Sequence, residues 1–138
     1  MFAVKPLEDK SVQKQLCSLL NTLYIPDSFA YFAADLEDDG TAIKGIIGIL
    51  QFTMGEETGE ILSLIPAPGK EDDEAMIIME RACMSFMWRS GMKKMIMKET
   101  AGPDIVLSRS GLPKNNGEYT VDLDVFFDSP CHYNKEHK

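Results

Sequence analysis

Residues 60–98 read EILSLIPAPGKEDDEAMIIMERACMSFMWRSGMKKMIMK, and the order of patterns in this stretch decides the fold. Glu60 to Ile65 is an apolar, β-rich run stopped by Pro66 and Pro68, because proline cannot supply a ladder N–H inside a sheet. From about Asp72 to Arg89, Ala75, Ile78, Met79, Ala82, Cys83, Phe86 and Met87 fall on one helical face. Met84 and Trp88 widen that face, which implies packing against more than one element. Gly91 stops the helix, and Lys94-Met95-Ile96-Met97-Lys98 reads as the next strand. A strand, a helix and a strand in succession imply a right-handed crossover, so these two strands run parallel.

On the N-terminal side, Phe2-Ala3-Val4-Lys5 reads as a short first strand ended by Pro6. Asp9 then caps a helix whose apolar face is Val12, Leu16, Leu19, Leu20 and Leu23, with Lys10, Gln13, Lys14 and Gln15 toward water. Phe29 to Glu37 and Thr41 to Met54 are β-rich runs joined by Asp38-Asp39-Gly40, the signal of a hairpin. Gly45 and Gly48 mark a bulge or a close backbone approach in the second run. On the C-terminal side, a short helix spans about Pro103 to Arg109 and Gly111 stops it. Glu118 to Phe127 alternates as a final strand, with Tyr119, Val121, Leu123, Val125 and Phe127 on one face. The expected order is a four-stranded antiparallel meander, a long helix, a parallel fifth strand, a short helix and a last strand. Residues 1–128 form one domain on this reading, and 129–138 a polar tail.

Composition sets the class. The chain has 138 residues, 44% of them apolar and 26% charged, the balance of one globular domain. No apolar run reaches the roughly 20 residues that span a bilayer, and the N-terminus lacks a signal-peptide pattern, so the expected location is the cytoplasm. A net charge of −8 disfavours nucleic acid and anionic membranes as partners and favours a cationic or amine-bearing one. The three cysteines, Cys17, Cys83 and Cys131, are widely spaced and indicate neither a disulfide framework nor a zinc cluster. Cys17 and Cys83 read as core thiols. Cys131-His132 with His137 sits in a polar stretch with no further ligand evident, so no metal is expected. Gly69-Lys70 is no P-loop, since Glu71 follows and Leu64 stands where the first glycine belongs. Most of the nine methionines read as adaptable core filler.

Val106-Leu107-Ser108-Arg109-Ser110-Gly111-Leu112, followed by Gly117-Glu118-Tyr119-Thr120-Val121-Asp122-Leu123, resembles the helix-Gly-Phe turn and closing strand of the GNAT-superfamily N-acetyltransferases. The element order from Phe2 to Phe127 is similar to theirs. The resemblance implies an α/β (α+β) fold: a mixed, mostly antiparallel sheet with a parallel, splayed fourth/fifth strand pair and helices on both faces. It implies acetyl-CoA entering the gap between those strands and pairing with the backbone of the fourth. The pyrophosphate then rests on N–H groups at the start of the long helix, where unpaired donors and the helix dipole favour an anion. On that basis Leu64, Ile65, Pro66, Gly69, Lys70, Glu71, Asp72, Asp73, Glu74 and Ala75 would hold the cofactor. Glu60, at the start of the fourth strand, would be the general base, with Glu99 a second candidate. The acceptor would be an amine of a small molecule or peptide, and a homodimer is compatible with this class.

Two departures from the family pattern carry physical weight. Glu71 and Asp73 occupy the two positions where the family has small residues, chiefly glycine, beside the phosphates. A carboxylate about 6 Å from a phosphate charge costs on the order of 3 kcal/mol at an effective dielectric near 20. The same acids make good caps and dipole partners, worth about 0.3–1 kcal/mol each, so the alternative is a self-capped helix with no anion site. Many family members also place a tyrosine four residues before the glycine to protonate the leaving thiolate. Here Leu107 holds that position, and Tyr119 or Tyr133 would have to replace it. The reading is thus an acetyl-CoA-dependent N-acyltransferase, with a degenerate binding or dimerisation module of the same shape, not using acetyl-CoA, as the alternative.

Overall fold

The computed structural model describes residues 1–69 and 72–128. Seven strands form one sheet: β1 (Phe2–Leu7), β2 (Phe29–Leu36), β3 (Ile43–Met54), β4 (Thr58–Pro66), β5 (Lys94–Lys98), β6 (Lys114–Asn115) and β7 (Glu118–Asp122), in the order β1-β2-β3-β4-β5-β7-β6. Every pairing is antiparallel except β4 with β5. Helices α1 (Lys10–Leu19), α2 (Asp73–Arg89) and α3 (Asp104–Arg109) complete the fold, with a further helical turn at 123–128. The mixed α/β architecture and its single parallel pair are those expected from the quoted stretch.

The core lies between α2 and one face of the sheet, where Met76, Met79, Met84 and Met87 of the helix meet Met95 and Met97 of β5. All six are buried, so the methionines are core filler as read. Two strand glycines let α2 sit close: a Cβ on Gly48 or on Gly59 would stand 2.5 Å from the sulfur of Met76 or Met87 respectively. The opposite face carries α1, whose Cys17, with Leu20 just past its end, packs with Ile49 of β3. Cys17 and Cys83 are both buried, as expected.

Three expectations need correction. The face α1 buries is Gln13, Cys17 and Leu20, while Leu19 and Leu23 are exposed. Gln13 turns inward because the buried Gln51 carboxamide oxygen and the Ser28 hydroxyl accept hydrogen bonds from its side-chain amide, at 2.9 and 3.0 Å. Pro6 does not end β1, which continues to Leu7; β1 is an edge strand, and there the missing N–H can face solvent. Finally, β7 stops at Asp122. The Asp122 carboxylate accepts from the Val125 N–H at 3.1 Å, a capping bond that turns the chain into the 123–128 helical segment. Val125 is consequently exposed, while Phe127 stacks on Trp88 at 4.9 Å. The strand β6 was not expected at all. It pairs with β7 across Asn116 and Gly117, whose φ values of 54° and 79° suit the Asn-Gly hairpin turn.

Candidate functional site

The site implied by the sequence begins where β4 and β5 part. Thr58–Ile61 pair with Lys94–Met97, and residues 62–66 of β4 have no partner in β5. A register shift against β3 also falls here, between Gln51 and Phe52. The strands thus diverge at the level of Leu64, where a thioester arm would lie against backbone donors.

That divergence is bridged by the chain itself. After β5 the chain turns back, and the Leu64 N–H donates to the Ala101 carbonyl at 2.9 Å. Gly102 sits so close to the Leu64 carbonyl that a Cβ on it would collide with that oxygen, with the Leu107 side chain 3.6 Å away. Leu107 is fully buried. The position expected for a tyrosine is therefore occupied by an apolar side chain packed into the junction. Sequence reading missed this strap: Ala101-Gly102 carries no pattern beyond a small residue able to approach a backbone.

The start of α2 is self-capped. The Asp72 carboxylate accepts the Ala75 N–H at 3.0 Å, and the Asp72 carbonyl accepts from Met76 at 3.2 Å. Asp73 is held by Arg109 at 2.6 Å, an ion pair that ties the first residue of α2 to the last of α3. Glu74 is exposed and Ala75 buried, and Gly69 is exposed with φ 77°. Leu64 is buried, with Ile65 and Pro66 half-buried. Lys70 and Glu71, like Cys131, His132, Tyr133 and His137, lie outside the described residues. Among the described residues, the Leu64 N–H of β4 and the Ala75 N–H at the start of α2 are thus both engaged from within the chain.

The base candidates separate. Gly59 and Ile61 face α2, so by strand alternation Glu60 projects from the opposite face, half-buried beside Ile96 and Thr53 in register. Glu99 makes an ion pair with Lys114 at 3.0 Å, both about half exposed, and the pair holds the Lys114 ammonium above its ordinary pKa. Tyr119 is buried in β7 under the Lys114 ammonium. Among the described residues no cluster of three or more His, Cys, Asp or Glu could hold a metal. None of the described helices is long and apolar enough to cross a membrane.

No protein-family model matches the chain, and no curated protein matches its sequence. Solved structures do match its shape. The spermidine/spermine N-acetyltransferase of Vibrio cholerae, in mutant forms, superposes with a TM-score of 0.63 at 10% identity, covering 94% of this chain and 99% of that one. The ribosomal-protein-S18-alanine N-acetyltransferase of Escherichia coli gives 0.59 at 8% identity, covering 89% and 94%. An N-acetyltransferase of Staphylococcus aureus gives 0.58 at 11% identity, covering 89% and 99%. The fold of this chain is the GNAT fold.

Proposed function

We propose that this chain is a GNAT-fold binding module whose acyl-CoA cleft has been given over to internal packing. The observation that carries the reading is the bond from the Leu64 N–H to Ala101, with Gly102 seated on the Leu64 carbonyl. Acyl transfer in this fold needs a backbone donor of the fourth strand free to polarise a thioester carbonyl, and here that donor is spent. The carboxylates at the start of α2 and the buried Leu107 support the same reading.

A second reading is acetyl transfer from acetyl-CoA to an amine of a small molecule or peptide, with Glu60 as base. It is favoured by the parting of β4 from β5 after Ile61, and it requires residues 99–103 to swing away. The net charge of −8 suits a cationic acceptor in that case. Calorimetric titration with acetyl-CoA at moderate salt separates the two. The expected outcome is no saturable heat up to high micromolar ligand. Saturable binding would overturn the first reading and leave the second standing. Glu71→Gly with Asp73→Gly should then tighten the complex by at least tenfold, by removing charges that oppose the phosphates.

A further inference from the structure

A cavity of about 690 Å³ lies away from the β4–β5 junction, within the usual size range of small-molecule sites, about 300–1,000 Å³. Its apolar wall is a connected set of rings. Phe29 and Tyr31 of β2 lie 5.5 and 5.8 Å from Phe52 of β3, and Phe86 of α2 closes the set at 6.1 Å from Phe52 and 6.5 Å from Tyr31. Phe29 is 49% exposed, so a large aromatic face is left open to the cavity. Three hydrogen-bond donors line the same space. The Lys10 ammonium stands 5.8 Å from the Phe29 ring centre and donates to the Ser28 carbonyl and, at 3.4 Å, to the Gln13 side-chain oxygen. Arg89, in the last turn of α2, donates through Nε to the Ser85 hydroxyl at 3.3 Å. Among the described residues no carboxylate pairs with Arg89, although the chain has 22 acids. The Tyr31 hydroxyl likewise has no hydrogen-bond partner among them. Burial raises its pKa, with the Arg89 charge opposing, so it remains a neutral donor. Among the described residues Glu8 is the one carboxylate of the lining, against Lys10 and Arg89, which leaves an excess of positive charge there in an acidic protein.

We propose that this cavity binds a small organic anion with a flat apolar body, an aromatic carboxylate in chemical class. Its ring would stack among Phe29, Phe52 and Phe86, and its carboxylate would accept from Arg89, Lys10 and Tyr31. The distant negative charge of the protein is screened beyond about 8–10 Å at ordinary salt, so the local donors decide the sign. The inference deepens the binding-module reading by giving it a ligand class. It is nevertheless read out separately from acetyl-CoA binding, because Arg89 is about 24 Å along α2 from Asp73 at 1.5 Å per residue.

The test is calorimetric titration of the full chain with naphthalene-2-carboxylate, its neutral carboxamide and the cationic naphthylmethylamine. Saturable binding of the carboxylate is expected, at least tenfold tighter than either analogue. Arg89→Gln should weaken the carboxylate by roughly tenfold, the loss of one charge-assisted hydrogen bond, and leave the carboxamide unchanged. Phe29→Ser should weaken both. Arg89 and Lys10 are exposed, and a thermal melt confirms folding of each variant, with Lys10→Gln as the second test of charge. The proposal fails if the carboxylate does not saturate by millimolar concentration, if either analogue binds as well, or if neither charge variant changes its affinity.

Discussion

Glu80 brings a carboxyl group into the buried face of α2, where neither oxygen has a hydrogen-bond partner among the described residues. Burial raises its pKa from 4.5 to about 7; the Arg81 guanidinium, 3.9 Å away, and Ser110 counter only part of this. The Ser110 hydroxyl is itself donated to the Leu107 carbonyl at 2.8 Å. A folded-state pKa above the unfolded one means that the folded protein holds the proton more tightly. Stability is therefore fully present below about pH 4.5 and declines as pH rises toward 7, by roughly 3 kcal/mol in all. Urea unfolding of the wild type and Glu80→Gln at pH 5 and pH 8 checks this. The wild type should lose roughly 2–3 kcal/mol more than the variant between those values, and parallel losses would clear Glu80 of the effect. Nothing in the sequence pattern set Glu80 apart from an exposed glutamate, because its burial comes from the packing of α3 and the sheet around α2. Gly102 is equally silent in sequence. Its role is a contact across tens of residues, visible only once β4 and the chain after β5 are placed together.

Secondary elements were legible where apolar periodicity is strong and ambiguous where polar side chains do structural work. The pattern of α2 and the prolines after β4 fixed the crossover, since few other arrangements bury such a broad apolar face. The inner face of α1 was misread because Gln13 looks like a surface residue. It belongs to a buried polar set: the Gln51 side chain donates to the Leu23 carbonyl at 2.9 Å and the Ser63 hydroxyl at 3.0 Å, and accepts from the Ile25 N–H at 3.0 Å. These bonds tie β3 to the segment between α1 and β2. Gln51→Ala would strand all of these partners, and the expected cost is about 2–4 kcal/mol. Chemical denaturation measures the loss, and faster amide exchange at Ile25 than at Leu50 would locate it in that segment. A drop below 0.5 kcal/mol would mean that water replaces the glutamine without penalty. The end of β7 was misread for a related reason: alternation continues through Val125 and Phe127 on paper, but Asp122 supplies a cap. Asp122→Ala should cost about 1 kcal/mol and alter the fluorescence of Trp88 by loosening the Phe127 stack. Unchanged emission would show that the turn holds without its cap.

At the scale of the molecule, the open question is whether the strap over Leu64 is part of the cooperative fold or a separate opening unit. The sheet is continuous from β1 to β6, and α2 covers β1 to β5 on one face. Ala101 is buried, and Val106, Leu107 and Leu112, which follow the strap, belong to the same core cluster as α2 and β4. Residues that share one core tend to unfold together, whereas gating segments are drawn from the weakly packed end of a structure. The packing therefore argues that the strap does not lift by itself. Native-state amide exchange makes the argument quantitative. The Leu64 N–H, bonded only across the junction, should exchange with the same opening free energy and denaturant dependence as Ile61 and Met97 within the β4–β5 ladder. A Leu64 amide that exchanges hundreds of times faster, with little dependence on denaturant, would reveal a local opening of about 3 kcal/mol or more below the global one. That result would expose a strand donor without unfolding the protein and return the chain to the acyltransferase reading. Protection equal to that of the ladder leaves the donor committed on every timescale short of global unfolding, which an acetyl-CoA-dependent enzyme could not tolerate.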